Sequence, residues 1–472
     1  MSDAHPSNPS NNKAEMGLRK IREDLFNPVD IGSIVVFRMM FGAILFWEVW
    51  RFFGHDWISS FYIERKFYFK YFGFGWIHPW PGDGMYIHFV AVGAFGLCVM
   101  SGFFYRITSW LLFFGITFWF LLDQTRYLNH LYLTALLAFL MAVIPAHRAK
   151  SLDARLRPKV QSDTVPAWCL WLLRASVGLV YFYSGIAKLN SDWLSGEPIR
   201  RWLANRSDYP LIGSWLDTEL ATWLFSYGGV YFDLAIAPAL LWRQTRTLAF
   251  VACVFFHTTN KMMFDIGIFP ILMLAATLIM FPPDWPRRVG LFFKTLPDDG
   301  TAESSAPVEI SKPRRHLTEA FFITCVGIQI LMPLRHFLYP GKVHWTEEGH
   351  RFAWHMKLRQ KRGEAQFFAT DPTTGKTWQI NLRNYLSSAQ RNRVARWPDM
   401  CLQFAHFLAD ELKKEGHKNI EIRAKVRASL NGRKYQYLID PEVDLSKVPR
   451  NLWHADWIVP LEKSQIGIYP DS

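Results

Sequence analysis

A chain of 472 residues that is 50% apolar and contains 39 Phe, 21 Trp and 17 Tyr is too aromatic for an ordinary soluble domain and suits membrane interfaces, where an apolar ring carries a polar tip. Its formal charge of +13 is spread over loops without any RNA- or DNA-binding motif, which excludes nucleic acid as a partner. The cysteines, Cys98, Cys169, Cys253, Cys325 and Cys401, show no CxxC or metal-ligand spacing, which argues against a disulfide framework and predicts no metal.

Residues 1–30 form a polar N-terminal segment. It lacks the apolar core of a cleavable leader, so the first span is expected to do the targeting itself. Apolar stretches of membrane-spanning length follow at 31–50, 85–104, 107–122, 128–144 and 168–186, then at 220–242, 247–257, 266–281 and 320–338. About nine spans are expected, eight of them in a catalytic body over 31–281. Lys and Arg gather before the first stretch, at Arg106, in 147–159, at Arg243 and Arg246, and between Arg287 and Arg315. Short basic loops favour the cytoplasm. The N-terminus is therefore expected there, and everything beyond Tyr339 on the exoplasmic or lumenal face, of either a bacterial cytoplasmic membrane or an endoplasmic reticulum.

Residues 282–319 read as a cytoplasmic linker, because DDGTAESSAPVEISKP is polar, proline-bearing and without helical period. The last span is expected at 320–339, followed by a soluble α+β module over 340–472. Within it 350–370 is strand-like, DPTTGK at 371–376 forms a turn, 377–382 alternates as a returning strand, and 400–414 has helical spacing. Asn431-Gly432, between 420–426 and 435–439, predicts a hairpin. The fold class is mainly α: a polytopic helical membrane domain followed by a smaller α+β module.

Lys188 lies seven residues beyond Tyr181 on an apolar run that ends SGIAKLNSDW. An ammonium at the end of a span loses hydration and becomes a usable base near neutral pH. Asn129-His130 stands at the outer mouth of another span. It offers donors and acceptors to a ligand oxygen, or else hydrogen-bonds a neighbouring helix. In FFHTTNKMMF, His257 and Lys261 are one helical turn apart, but no HExxH pattern exists, so helix-end chemistry competes with ligand binding. Arg38, Arg174 and Asp233 lie deep in apolar runs and read as structural charges, with Arg174 and Asp233 expected to pair. Trp345, Trp354 and Met356, in WTEEGHRFAWHMKL, either hold an extended substrate or anchor the module at the interface.

In the same order, these motifs resemble those of the vitamin K-dependent gamma-glutamyl carboxylases. Animal members read approximately AGVKKLDADW around a catalytic lysine; the first lysine of that pair is Ala187 here and the second is Lys188. Their NHSYLYGLLAF resembles the stretch from Asn129-His130, and their FFHCMNSQLFSIGMF matches at His257, Asn260 and Phe264. LLRASVGLVYF around Arg174 and FDL around Asp233 belong to the resemblance as well. WTNGLYGYSWDMMV matches at Trp345, Trp354 and Met356, while His355 stands where the family has Asp. The resemblance runs from the first span to the WIVPL segment that begins at Trp457.

The resemblance implies a carbon–carbon lyase that carboxylates protein glutamate to γ-carboxyglutamate with vitamin K hydroquinone, O2 and CO2, releasing vitamin K epoxide. Lys188 would be the base toward the hydroquinone and Asn129 and His130 its catalytic partners, with Tyr181, His257 and Asn260 binding the quinol. Trp345, Trp354 and Met356 would hold a glutamate-containing peptide or protein, the lipid bilayer would deliver the quinol, and a quinone reductase would regenerate it. The competing classes are a non-carboxylating quinol- or lipid-binding relative and a transporter. Neither internal repeats nor paired broken helices are found in the sequence, which counts against the transporter.

Overall fold

The computed structural model describes residues 9–264, 266–291 and 312–462. The membrane body comprises α1 (Gly32–Gly54), α2 (Gly84–Ser101), α3 (Tyr105–Leu121), α4 (Asn129–Val143), α5 (Ala167–Lys188), α6 (Glu219–Leu241), α7 (Arg246–Met263), α8 (Phe269–Thr277) and α9 (Lys312–Leu334). Among the described residues, five of these, α1, α2, α5, α6 and α9, are long and apolar enough to cross a membrane, which corrects the expected nine. The 15 residues of α4 rise only about 22 Å, short of the roughly 30 Å of hydrocarbon. Helices α3 and α8 are likewise short and apolar, and α7 closes on the polar sequence HTTNK before its last two residues. The stretches expected at 107–122, 128–144, 247–257 and 266–281 hold only 11 to 17 residues, short of the roughly 20 that a spanning helix needs. Residues 292–311 of the expected linker lie outside the described residues, and α9 already begins at Lys312, within the stretch assigned to the linker.

Lipid tails are as apolar as leucine, so helices in this setting associate through close packing rather than exclusion of water. Helices α1 and α2 cross where a Cβ on Gly42 would lie 2.4 Å from the Gly96 carbonyl oxygen. Helices α5 and α6 cross at Gly185, whose Cβ would lie 2.6 Å from Leu234 Cδ2. The expected Arg174–Asp233 bridge does not form. Arg174 instead donates to the carbonyls of Ile279 at 2.9 Å and Phe281 at 2.7 Å, beyond the end of α8. Arg38 likewise donates to the carbonyls of Ala146 at 3.1 Å and Lys150 at 2.6 Å. Carbonyls left without amide partners where helices end satisfy both guanidiniums, a solution that charge counting along the sequence cannot anticipate.

The loops segregate to two ends. At one end β1 (Pro28–Asp30) pairs antiparallel with β2 (Thr164–Pro166), and Arg287 joins Asp30 at 2.6 Å and Asp163 at 3.1 Å. At the other end the connections after α1 and α3 meet the module: Lys70 N donates to Gln403 Oε1 at 2.8 Å, and Gln403 Nε2 reaches Gln124 Oε1 at 3.4 Å.

The module is an antiparallel sheet of β3 (Lys361–Thr370), β4 (Thr377–Gln379), β5 (Glu421–Leu430) and β6 (Gln436–Tyr437), in the order β4-β3-β5-β6. Alternation along β5 buries Ile422, Ala424, Val426 and Ala428 on one face, against Met400, Phe404 and Leu408 of helix α10 (Pro398–Lys414). The turn at 371–376, the returning strand and the hairpin after β5 agree with the sequence reading. The strand expected from 350 begins only at Lys361, and 350–360 folds instead as irregular chain over the membrane body. All five cysteines are unpaired.

Candidate active site

Helix α5 stops where Asn190 turns the chain, its side chain accepting from the Trp193 amide to open a new short turn. Lys188 is therefore the last residue of a membrane helix, and the crossing at Gly185 brings α6 against it. Lys188 Nζ donates to Asp233 Oδ2 at 2.5 Å, to Ser184 Oγ at 2.9 Å and to the Ser184 carbonyl at 3.2 Å. Ser184 Oγ donates in turn to Asp233 Oδ2 at 2.7 Å. The Trp193 ring stands 5.4 Å from Nζ, within cation–π range. Lys188 is 6% and Asp233 3% exposed. The lone, dehydrated amine expected from the sequence thus has a buried carboxylate within ion-pair distance, and that carboxylate is the one expected to serve Arg174.

Two turns earlier on α5, Tyr181 projects from the same face as Lys188, with its Oη 2.7 Å from His257 Nε2. His257 Nδ1 is buried without a hydrogen-bond partner among the described residues. Asn129 Oδ1 accepts from Tyr127 Oη at 3.0 Å, and Asn129 Nδ2 donates to the His355 carbonyl at 3.2 Å, tying the start of α4 to the module. The His130 ring packs beside Phe269 and over Gly267, where a Cβ would lie 3.5 Å from its Nε2.

Lys188, Asp233, Ser184, Tyr181, His257, Asn260, Asn129, His130 and Met356 all line one cavity of about 770 Å³. Its membrane wall carries Phe52, Trp57, Trp119, Phe256, Phe269 and Met273, and the module closes it with Glu347, His350, His355, Arg359, Lys361 and Arg393. Trp345 and Trp354 do not reach it. Trp345 is 1% exposed in the module core, its Nε1 donating to the Val459 carbonyl at 2.8 Å. Trp354 packs on the Tyr132 ring with centroids 4.9 Å apart. Of the three residues expected to hold substrate, only Met356 is on the wall.

Charges that the sequence reading passed over are on the wall as well. Glu48 accepts from Arg51 at 2.6 Å, and the Arg51 guanidinium lies between the rings of Trp47 and Trp57. Glu48 and Arg51 are three residues apart at the end of an apolar run, a spacing that could have disclosed them. Glu347 is gripped by Arg359 and lies 3.5 Å from Lys361 Nζ. Burial, opposed by Glu347, takes the Lys361 ammonium down to about 8. Burial takes His344 down to about 3 and also lowers His350 and His355, with Arg359 among the neighbouring charges acting the same way. Burial thus disfavours the charged form of all three rings.

A cavity of this size falls within the roughly 300–1,000 Å³ of small-molecule sites. Aromatic walls with an unpartnered His257 Nδ1 suit a flat aromatic ligand carrying oxygens at its edge. Among the described residues no three His, Cys, Asp or Glu side chains converge as metal ligands.

Residues 26–285 match a family model described as HTTM domain. Residues 314–464 match one described as vitamin K-dependent gamma-carboxylase, lumenal domain. No solved structure matches the chain.

Proposed function

Because the chain belongs to the vitamin K-dependent gamma-carboxylase family, we propose that it converts protein glutamate to γ-carboxyglutamate in this cavity, with vitamin K hydroquinone, O2 and CO2 as co-substrates. The proton on the glutamate γ-carbon is too weakly acidic for any side chain to remove, and vitamin K hydroquinone, oxidised by O2 to its epoxide, supplies the stronger base. The γ C–H bond breaks, and the electron pair left on carbon forms the new C–C bond to CO2.

The residues of the chain hold and move the other protons. Lys188 Nζ accepts the quinol proton from its neutral state, in which two N–H groups donate to Asp233 and Ser184 and one lone pair is left for the proton. The Asp233 carboxylate compensates the charge that Nζ then carries, and Ser184 Oγ, bonded to both, fixes the direction of the amine. Tyr181 and His257 act as one hydrogen-bonded unit that offers the free His257 Nδ1 to a quinol oxygen. Asn129 and His130 supply polar contacts from α4, and Asn260 completes that side of the wall. The aromatic membrane wall keeps water from the reacting atoms.

The observation that carries this reading is the Lys188–Asp233–Ser184 cluster on the wall of the cavity that also receives Asn129, His130 and His257. In the same reading the basic-loop end, with the N-terminus and the linker, is cytoplasmic. The module lies on the lumenal or exoplasmic side, and a separate quinone reductase returns the epoxide to quinol. The test gives purified protein vitamin K hydroquinone, O2, radiolabelled CO2 and a short glutamate-rich peptide, beside Lys188→Ala. Label and epoxide in the wild type, both lost in the variant, are expected. Label retained in Lys188→Ala removes the base assignment, and neither product in the wild type removes the carboxylase reading.

A further inference from the structure

The cavity wall carries eight basic side chains, Arg51, Arg126, Lys188, Lys357, Arg359, Lys361, Arg393 and Arg396, against three carboxylates, Glu48, Asp233 and Glu347. Each carboxylate is already engaged: Glu48 by Arg51, Asp233 by Lys188, and Glu347 by Arg359 with Lys361 nearby. Arg126, Arg393 and Arg396 have no carboxylate within ion-pair distance among the described residues, although all three line the cavity.

Their other contacts do not neutralise them. Arg396 donates to the carbonyls of Asn392 at 2.6 Å and Lys361 at 3.1 Å. The Arg126 guanidinium sits 3.6 Å from the centroid of the Phe61 ring, and that of Arg393 sits 5.2 Å from the centroid of the Trp397 ring. Burial pulls the Arg393 guanidinium down to about 10, and the charges of Arg396, Arg359 and Arg126 act in the same direction, opposed by Glu347. Crowding like charges at a partly desolvated wall is unfavourable unless an anion joins them.

We propose that Arg126, Arg393 and Arg396 form an anion subsite that holds the side-chain carboxylate of the acidic peptide substrate where the module closes the cavity. Planar guanidiniums suit this ligand because their paired N–H groups match the two oxygens of a carboxylate. The helix Ser388–Val394, which carries Arg393, packs beside the turn Gln124–Arg126 that leads into α4. The subsite thus joins the module to the loop that positions Asn129 and His130. The subsite rests on the carboxylase reading for its ligand, while its position and its excess charge do not depend on that reading.

The test compares wild type with Arg393→Gln and Arg126→Gln in detergent, each first shown to unfold at the wild-type temperature. A lost charge-assisted bond to the substrate should raise the KM for a glutamate peptide about ten- to a hundred-fold. The KM for vitamin K hydroquinone should stay unchanged, and Arg393→Lys should recover part of the loss. An unchanged peptide KM in both glutamine variants, or a fall in kcat alone, overturns the subsite. Direct calorimetric binding of the glutamate peptide and its glutamine counterpart separates the two readings. If the wild type fixes no CO2 yet prefers the glutamate peptide through Arg393, the subsite stands and the carboxylase reading falls. If the wild type binds both peptides equally, or if acetate and bicarbonate alone bind as tightly as the peptide, the subsite is overturned.

Discussion

Replacing Asp192 by Asn tests how the module is held to the membrane body. Asp192 lies four residues past Lys188 and accepts from Arg433 through two bonds, Nη1 to Oδ2 at 2.7 Å and Nη2 to Oδ1 at 2.8 Å, and from Asn431 Nδ2 at 2.8 Å. Asp192 is 5% and Arg433 8% exposed. Asparagine keeps the shape but turns an NH2 group toward the guanidinium and leaves a buried cation without its counter-charge. Breaking such a pair from one side costs about 3–5 kcal/mol. Protonation gives a second, smaller figure. Burial raises the Asp192 pKa, but the hydrogen bonds from Arg433 and Asn431 and the charges of Arg433 and Lys342 outweigh it, bringing the group from 3.8 to about 2. At about 1.4 kcal/mol per pH unit the difference amounts to roughly 2 kcal/mol. The folded-state pKa is depressed, so this contribution is complete above the unfolded value of 3.8 and is lost as pH falls through about 2. Thermal unfolding in detergent, followed at pH 7 and in steps down to about pH 2, reads both quantities. The variant should be less stable at neutral pH, and its deficit should shrink in acid. Equal stability at pH 7, or a deficit that does not change with pH, would refute the clamp.

Asp233→Asn removes the counter-charge of Lys188 while keeping Ser184 in place. CO2 fixation and epoxide formation should fall together by about a hundred-fold or more, and wild-type turnover in the variant would show that the pair is only structural. Gly185→Ala should destabilise the body by about 1–3 kcal/mol, because its Cβ would lie 2.6 Å from Leu234 Cδ2. On the same helix Gly178→Ala would bring its Cβ to 3.7 Å from the Ala237 Cβ, an ordinary contact, and should be neutral or stabilising by up to about 1 kcal/mol. Equal melting shifts in the two alanine variants would contradict the crossing described for α5 and α6.

What the sequence disclosed follows from the range of each signal. Lys188, Tyr181, His257 and Asn129-His130 were legible because each sits in a short motif, and the structure gathers them at one cavity. The hairpin after β5 was legible because Asn-Gly accepts positive φ, here 50° at Asn431 and 75° at Gly432. The partners were not legible. Asp233 was read as the mate of Arg174 because both lie deep in apolar runs, whereas the crossing at Gly185 gives it to Lys188. The resemblance cast Trp345 and Trp354 as substrate residues, whereas the aromatic motif by itself favours an anchor for the module, and they fill the module core and the module–body junction. Arg393 and Arg396 stand in RNRVAR, indistinguishable by sequence from an ordinary solvated helix face. The span count failed for a different reason: apolar character alone was counted, and a run such as that of α4, from Asn129 to Val143, is apolar but too short to cross.

The wall of the cavity is written at two distant places in the chain, and the second is translated last. Lys188, Asp233 and His257 are in place once α7 has emerged, but Glu347, His355, Arg359 and Arg393 come from the module, and Asn129 finds its carbonyl partner only at His355. A ribosome that has synthesised the membrane helices alone has made Lys188, Asp233 and His257 without the surface that encloses them. Order of synthesis thus delays the closed chamber until the module has docked, and a nascent chain stalled before Trp345 would leave the lysine facing an open mouth.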